Sequence, residues 1–513
     1  MNESPLHNLY LTQQVREIDR AGMREGGILP RELMQRAGQA AFDLIRKHYP
    51  DARRWLIVCG PGNNGGDGYV VGGLAAAAGL TVEVVQNPGP PKKPPADAFN
   101  PSAWQAWDEA RRLVFDMHAW DGATLNAADV VVDALLGSGL SRPVAGRFQS
   151  LIEAMNAHRA PVVALDVPSG LDTDTGMPVP LAVRAQSSLC FIALKRGLLT
   201  GAAADFVGDL YLATLGVPMR CFEKHQPSAR IIDAQALRAR LGKRRPGAHK
   251  GEFGHVLLLG GNQGMGGAVA LAAIACLRSG AGLVTALTHP AHAAALLATR
   301  PEVMWVGLQE QTDVCSLLAR ASVVALGPGL GRDRWAVDAA AMLYDCDLPM
   351  VLDADGLSLL LVGRSRKAPL VITPHPGEAA GLLSKSTAEV MQDRFASVLE
   401  LANRFQCVCV LKGSGTLVSD GDTTNLCDRG NPGMASAGMG DALTGIVAAL
   451  LAQGLTATDA ACYGVALHAS AGDLAAGNGE RGLLASDLMG PVRRLANALD
   501  PFPPGRVEAW PGS

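Results

Sequence analysis

The stretch GPGNNGGDGYVVG, Gly60 to Gly72, directly follows the apolar run WLIVC, Trp55 to Cys59. Glycine admits positive φ and lets backbone approach a ligand closely. A tight strand-to-helix turn would account for the glycines. It would not account for Asn63, Asn64 and Asp67, whose oxygens suit a sugar, a phosphate or a hard cation. Two further apolar runs end in the same manner. VVVDALLGSGL reaches Asp133 and then Gly137 to Leu140, and VVALDVPSGLD reaches Asp166, Ser169 and Gly170. A single aspartate of this kind is ordinarily a cap or turn residue. Three polar run ends together point to convergence at the carboxyl edge of a parallel sheet, where such sheets bind ligands.

A second set lies in the other half. In AGMGDALTG, Gly438 and Gly440 precede Asp441, which opens the helical run ALTGIVAALLAQG. A helix start receives an anion, and an aspartate there can act as a base. An N-cap needs only one residue, so it leaves the longer GNPGMASAGMGD without a reason. LKGSGT, Lys412 to Thr416, offers a cation, backbone donors and hydroxyls for a diphosphate. TPHPGE holds His375 between two prolines. Asp353 and Asp355 of LDADG read as strand-end or turn groups and stay outside the site.

These residues need elements to hold them. TQQVREIDRAGMREGGI and RELMQRAGQAAFDLIRKHY carry apolar residues at helical spacing. Short β-rich runs then alternate with glycine turns and helical stretches, which predicts a parallel sheet covered by helices. A Pro-rich surface loop is expected near residues 87–101. The basic, Gly- and Pro-punctuated stretch around GKRRP reads as a solvated connector, and the domain boundary falls near residues 222–235. The alternation then restarts. The expectation is therefore two α/β domains, residues 1–225 and residues 235–505. The chain has 513 residues, too many for one ordinary core.

Composition narrows the function classes. The net charge is −3 and charged residues make up 18%, with no long basic block, so broad binding of nucleic acid is not expected. The ten cysteines form no CxxC pair and read as reduced thiols, with Cys407 and Cys409 of CVCV as buried small hydrophobes. The N-terminus lacks a secretory pattern, and the apolar stretches are too short or too interrupted to span a bilayer. A cytoplasmic homo-oligomer acting on small molecules, with no membrane partner, is the expected setting.

The motifs carry a close resemblance. LMQRAG, GPGNNGGDGYVVG, DALLGSGL and DVPSGLD resemble the NAD(P)H-hydrate epimerase family over about residues 1–220. The resemblance implies a Rossmann-like, three-layer domain that interconverts the R and S epimers of hydrated NADH and NADPH. It implies that Asn63, Asn64, Gly65, Gly66 and Asp67, with Gly137, Ser138, Gly139, Leu140, Ser141, Arg142 and Pro143, hold the nucleotide. It implies a potassium ion on Asn64, Asp133 and Ser169, and Asp166 as the acid–base group that also touches substrate. Lys195 in FIALKRGLL matches a lysine near that site. Ser138 stands where the family has threonine, and ALKRG replaces a proline-containing pattern.

HKGEFGHVLLLGGNQGMGGAVALAA, GPGLG, LDADGL, TPHPGE, LKGSGT and GNPGMASAGMGD resemble, in order, the ADP-dependent NAD(P)H-hydrate dehydratases, which are ribokinase-like. The resemblance implies ADP, with magnesium, around Lys412, Gly413, Ser414, Gly415, Thr416 and Gly440. It puts Ala268, Gly329, His375 and Asp441 around the hydrated nucleotide, with Asp441 catalytic. Met439 stands where the family has serine. Two other readings compete: a small-molecule kinase with a degenerate first domain, and a first domain that senses nucleotide without turning it over.

Overall fold

The protein is described by a computed structural model covering residues 5–89, 91–93, 102–114, 116–122, 124–140, 142–360 and 366–510. Ser141 and much of the expected Pro-rich loop, residue 90 and residues 94–101, lie outside the described residues. The chain divides into two compact units, Met1–Arg230 with Arg506–Ser513, and Ile231–Gly505. The strand Val507–Ala509 thus belongs to the first unit, where it pairs with Asp209–Ala213. A contiguous reading of two domains does not contain that return.

In the first unit the main sheet has eight described strands in one order: Val507–Ala509, Asp209–Ala213, Ser187–Phe191, Val162–Leu165, Val130–Ala134, Arg54–Cys59, Thr81–Gln86 and Asp116–Ala119. Every neighbouring pair is parallel. The strands are apolar on both faces because both faces are covered. Ile57, Cys59, Val130 and Val132 enter one core with the helix Pro30–His48. Leu56, Val58 and Val131 enter the opposite core with the helix Arg147–Ala157. The layers are helix, sheet, helix, as a Rossmann-like fold requires. Strand order reverses direction between Arg54–Cys59 and Val130–Ala134, so the ligand crevice should open beyond Cys59 and Ala134.

A small side sheet sets the amino-terminal helix. Asn8–Tyr10 pairs with Leu194–Lys195, matching Tyr10 to Lys195. The helix Thr12–Arg24 starts immediately afterwards. Its first residue is tied down: Thr12 N donates to Asp174 Oδ1 at 2.7 Å, and the Thr12 and Thr173 hydroxyls lie 2.5 Å apart.

The second unit carries Met304–Gly307, Leu283–Thr288, His255–Leu259, Val323–Leu326, Met350–Leu352, Leu370–Ile372 and Val408–Leu411 as neighbouring parallel strands. Thr416–Ser419 and Thr424–Cys427 extend it antiparallel. One face packs on the helices Gly266–Arg278, Met439–Ala452 and Ala457–Ala475. The first two lie against each other so closely that a methyl at Gly445 would overlap the Ala272 carbonyl. Strand order reverses between His255–Leu259 and Val323–Leu326, which puts a second crevice beyond Leu259 and Leu326.

One expectation changes in detail. The helix after Cys59 begins at Asn63, so Asn63 to Asp67 are its first turns and not a wide loop. None of Gly60, Gly62, Gly65, Gly66 and Gly68 has positive φ. These glycines serve close packing. A Cβ on Gly68 would stand 2.6 Å from Ala134 Cβ and 2.8 Å from Cys59 Sγ, and one on Gly65 would overlap the Gly60 carbonyl oxygen. Gly68→Ala should therefore lower the stability of the first unit by about 1–3 kcal/mol through overpacking. Urea denaturation checks this, and an unchanged midpoint would contradict it.

Two candidate active sites at the carboxyl ends of the sheets

The first site is a cavity of about 420 Å³ at the predicted crevice. Asn63, Asn64, Asp67, Gly137, Ser138, Gly139, Leu140, Asp166 and Lys195 all line it. Asp166 stands at the end of Val162–Leu165 with φ 63, a left-handed conformation uncommon outside glycine. That bend turns its carboxylate towards the cavity and Lys195. The Lys195 ammonium donates to Asp166 Oδ1, and also to the Phe191 carbonyl at 3.0 Å. Asp166 Oδ2 accepts from Ser138 N at 3.3 Å.

Lys195 is 1% exposed. Burial alone would push the Asp166 carboxyl up and the Lys195 amine down. Their mutual attraction outweighs this, so Asp166 is held below its ordinary value and Lys195 above. The other carboxyls behave oppositely. Asp67 is raised well above its usual range by burial, and further by Asp166 and Asp19. Asp19 is pushed up to about 6 by burial, with Lys195 pulling down and Asp166 pushing up.

Behind the cavity is a tight oxygen cluster. Asp133 is wholly buried; its Oδ1 accepts from Ser169 Oγ at 2.6 Å and its Oδ2 from Ser169 N at 2.8 Å. Ser169 Oγ bonds the Leu136 peptide at both ends, 2.8 Å from its N and 3.0 Å from its O. Asn64 Nδ2 reaches the same Leu136 oxygen at 2.9 Å, which leaves Asn64 Oδ1 buried without a hydrogen-bond partner. Amide, carboxylate and hydroxyl oxygens with one orphaned acceptor fit a hard monovalent cation.

Some expected groups lie elsewhere. Gly65 and Gly66 are buried in packing and do not line the cavity, because the helix has already begun there. Arg142 and Pro143 are exposed and also lie off it, beyond the turn at Ser138 and Gly139. Two residues missed in the sequence do line it, Arg16 and Asp19, both on the helix Thr12–Arg24. Arg16 donates to the Ser138 carbonyl at 3.3 Å. Their spacing of three places them on one helix face, but that signal is shared by any amphipathic helix.

The second site centres on Lys412. Its ammonium bonds Asp353 Oδ1 at 2.7 Å and lies 3.8 Å from Glu378 Oε2. Thr444, one turn into the helix Met439–Ala452, donates to Asp353 Oδ2 at 2.8 Å. Asp353, set aside in the sequence, is thus the buried anchor of the site. Burial would raise its carboxyl, but Lys412 and the hydroxyl donors hold it below 3.8. Lys412 is correspondingly raised against the opposing effect of burial. Asp441 is pushed up to about 6 by burial and then by the Asp353 charge, against Lys412.

Asp441 is not the helix cap. Gly438 occupies that position with φ 86, and Asp441 falls in the first turn beside the Lys412–Asp353 pair. A Cβ on Gly440 would sit 3.4 Å from Lys412 Nζ. The Lys412–Thr416 bend is held from beneath by Arg394, which is fully buried and donates to the carbonyls of Lys412, Leu411 and Gly415 at 3.2, 3.2 and 3.4 Å. Gly413 and Ser414 are exposed, and Thr416 Oγ1 donates to the Gly413 carbonyl. His375 caps the helix Pro376–Leu383, with its Nδ1 accepting from Gly377 N at 3.0 Å. Its Nε2 lies 3.4 Å from Glu378, the residue that also faces Lys412. Gly329 has φ 60 and packs on Ala268 at the other side of the reversal point.

Residues 256–493 match the family described as NAD(P)H-hydrate dehydratase, and residues 30–197 match the YjeF-related protein N-terminus. The bifunctional NAD(P)H-hydrate repair enzyme Nnr of Vibrio cholerae is 46% identical over 494 residues, covering 96% of this chain and 99% of that protein. The chain belongs to the family of bifunctional NAD(P)H-hydrate repair enzymes. The repair enzyme of Escherichia coli is 42% identical over 502 residues, covering 97% of this chain and 96% of that one. A ribokinase-like superfamily protein from Enterococcus faecalis is 29% identical with a TM-score of 0.50, covering 53% of this chain and 97% of its own. It supports a ribokinase-like fold for the second unit. Repair-enzyme relatives that align along nearly the whole chain set aside a kinase with a degenerate first unit. Among the described residues no helix is long and apolar enough to cross a membrane.

Asp353→Asn should cost about 3–5 kcal/mol, because it strands a largely buried ammonium without its anion. The lowered Asp353 carboxyl stabilises the fold fully above its unfolded value of 3.8, and that contribution is lost as pH falls through the lower folded value. Denaturation from pH 7 to pH 3 should then show the variant's deficit shrinking with acid; a deficit that stayed constant would contradict the ion-pair account.

Proposed function

We propose that the two sites carry out successive steps in repairing hydrated NADH and NADPH. The first unit interconverts the R and S epimers. The second dehydrates the S epimer at the expense of ADP. The observation that supports this most strongly is the same in both units of a repair-family chain. A buried lysine–aspartate pair stands at the carboxyl edge of the sheet with a further carboxyl, Asp19 or Asp441, in its field.

In the first site, Asp166 and Lys195 are the catalytic pair. Epimerisation requires proton exchange at the C6 hydroxyl, and Asp166, ionised by its neighbour, accepts that proton. Lys195 keeps the carboxylate ionised and fixed. Asp67, whose carboxyl burial raises well above its usual range, faces the same cavity. Asn63 and the Gly137–Leu140 backbone line the nucleotide's place. Asn64, Asp133 and Ser169 would hold potassium, which supplies fixed positive charge near the substrate phosphates.

In the second site, the bend Lys412 to Thr416 and Gly440 would hold ADP, and Ala268, Gly329 and His375 would border the nicotinamide. Among the described residues no three His, Cys, Asp or Glu side chains are grouped as a metal cage, so magnesium would arrive with the nucleotide's phosphates. Asp441 removes the C6 hydroxyl proton as that oxygen attacks the terminal phosphorus of ADP and AMP leaves. Lys412 and the helix start stabilise the charge that develops. Loss of phosphate from C6 and of a proton from C5 restores the dihydropyridine. Assembly as a cytoplasmic homo-oligomer belongs to the same proposal.

Purified protein given mixed R and S hydrates should restore the whole dihydronicotinamide absorbance with ADP and none without it. Recovery that stops at the S fraction would remove the epimerase assignment. Asp441→Asn should keep epimerisation and lose dehydration by about a hundredfold or more. Replacing potassium by tetramethylammonium should slow epimerisation and leave dehydration of pure S hydrate unchanged; equal rates in both salts would refute the ion's place.

A further inference from the structure

The first cavity contains a carboxyl that the proposed step does not use. Asp19 lines it from the helix Thr12–Arg24, not from the strand ends that supply Asp166 and Lys195. Its Oδ1 is buried and has no hydrogen-bond partner. A buried carboxylate oxygen without a donor is costly, which favours the protonated form of this cavity-lining carboxyl. Its position is firmly determined. The Asn8–Tyr10 strand pairs with Leu194–Lys195, and the helix is pinned at Thr12 to Asp174 and Thr173. The residue is thereby brought into the field of Lys195 and Asp166.

The chemistry has a vacancy of the same kind. The hydrated ring is a cyclic hemiaminal, with the C6 hydroxyl on the carbon bonded to N1. Opening it breaks the C6–N1 bond. The hydroxyl loses its proton and C6 becomes an aldehyde carbon. The electron pair goes to N1, which gains a proton. Rotation about C5–C6 presents the other aldehyde face, and closure reverses both transfers. One group must take the hydroxyl proton while another delivers one to N1. Asp166, paired with Lys195, can only be the acceptor at the outset.

We infer that the Asp19 carboxyl is that second group, donating its proton to N1 as the ring opens and recovering it as the ring closes. This rests on the epimerase reading of the first site. Protons balance over the cycle, with no oxidant or co-reactant. The groups facing Asp19 are Lys195 and Arg20, which favour its ionised form, and Asp166, which opposes it; Arg16 and Asp67 line the same cavity. With burial they leave Asp19 near 6, while Asp166 lies below its ordinary value. Two carboxyls whose environments separate them in this way are suited to opposite proton roles. Asp67 is raised too, by burial first and then by Asp166 and Asp19.

The test uses the full chain and pure R hydrate, with rates corrected for uncatalysed epimerisation. Asp19→Asn should lower kcat by about a hundredfold or more and leave KM within about threefold, since binding groups stay in place. Dehydration of pure S hydrate by the same preparation should be unchanged, and a first-unit urea midpoint near the wild type's shows that the unit carrying the substitution is folded. Asp19→Glu should recover part of the rate. The wild-type rate should fall as pH rises through about 6, and that limb should vanish in Asp19→Asn. A wild-type rate in Asp19→Asn would overturn the inference and leave the epimerase reading intact. A rate loss accounted for by KM, with the pH limb retained, would also overturn it, by making Asp19 structural. Absence of epimerisation in the wild type would overturn both.

Discussion

Each unit is organised around an ammonium buried against one carboxylate at the mouth of a parallel sheet. Lys195 with Asp166, and Lys412 with Asp353, are charges taken largely out of water. Such a pair survives only when the remaining lone pairs and protons are also satisfied. Here the Phe191 carbonyl and the Ser138 amide complete the first pair, and Thr444 completes the second. The consequence is electrostatic. With one carboxylate fixed as an anion, a second carboxyl nearby is discouraged from ionising. Burial is the larger cause at all three raised carboxyls; the anion adds to it at Asp67 and Asp441, whereas at Asp19 the pull of Lys195 exceeds the push of Asp166. Two different reactions are thus served by one arrangement: a permanent anion held by lysine, and a carboxyl poised to carry a proton.

The backbone requirements follow from where that arrangement sits. Strand ends must turn sharply, and helices must start close to the sheet. Asp166 turns with positive φ despite having a side chain. Gly438 turns before the helix that carries Asp441 and Thr444, so that the helix start faces Lys412. Gly65 and Gly68 let their helix approach Cys59 and Ala134, which brings Asn64 to the Leu136 carbonyl. Arg394 plays the corresponding part under the Lys412 bend, holding three carbonyls from a fully buried position.

Much of this was legible in the residues. Apolar runs ending in glycine and polar residues gave the parallel sheets, and the crevice at their carboxyl ends followed from topology. Asp67, Asp166, Lys412 and Asp441 stand out at the ends of those runs, and the family resemblance adds Lys195. What escaped has physical causes. Asp353 has the signature of a turn aspartate, and only its distance to Lys412 distinguishes it. Asp19 and Glu378 lie on helices whose spacing marks a face and not a function. Arg394 looks like an ordinary charge in an amphipathic helix, since its partners are carbonyls distant in sequence. The glycines after Cys59 were read as a loop because a glycine needed for packing and one needed for a turn look alike. The closing strand Val507–Ala509 is three residues after a Pro-rich stretch, too short to show a period.

The division of carboxyls into fixed anions and proton carriers is the central claim. Infrared difference titration of the protein against its Asp19→Asn, Asp166→Asn, Asp353→Asn and Asp441→Asn variants reads each carboxyl directly. The account predicts that the Asp19 and Asp441 signals change near pH 6, while those of Asp166 and Asp353 stay ionised below 3.8. Four carboxyls titrating together near their ordinary value would contradict it.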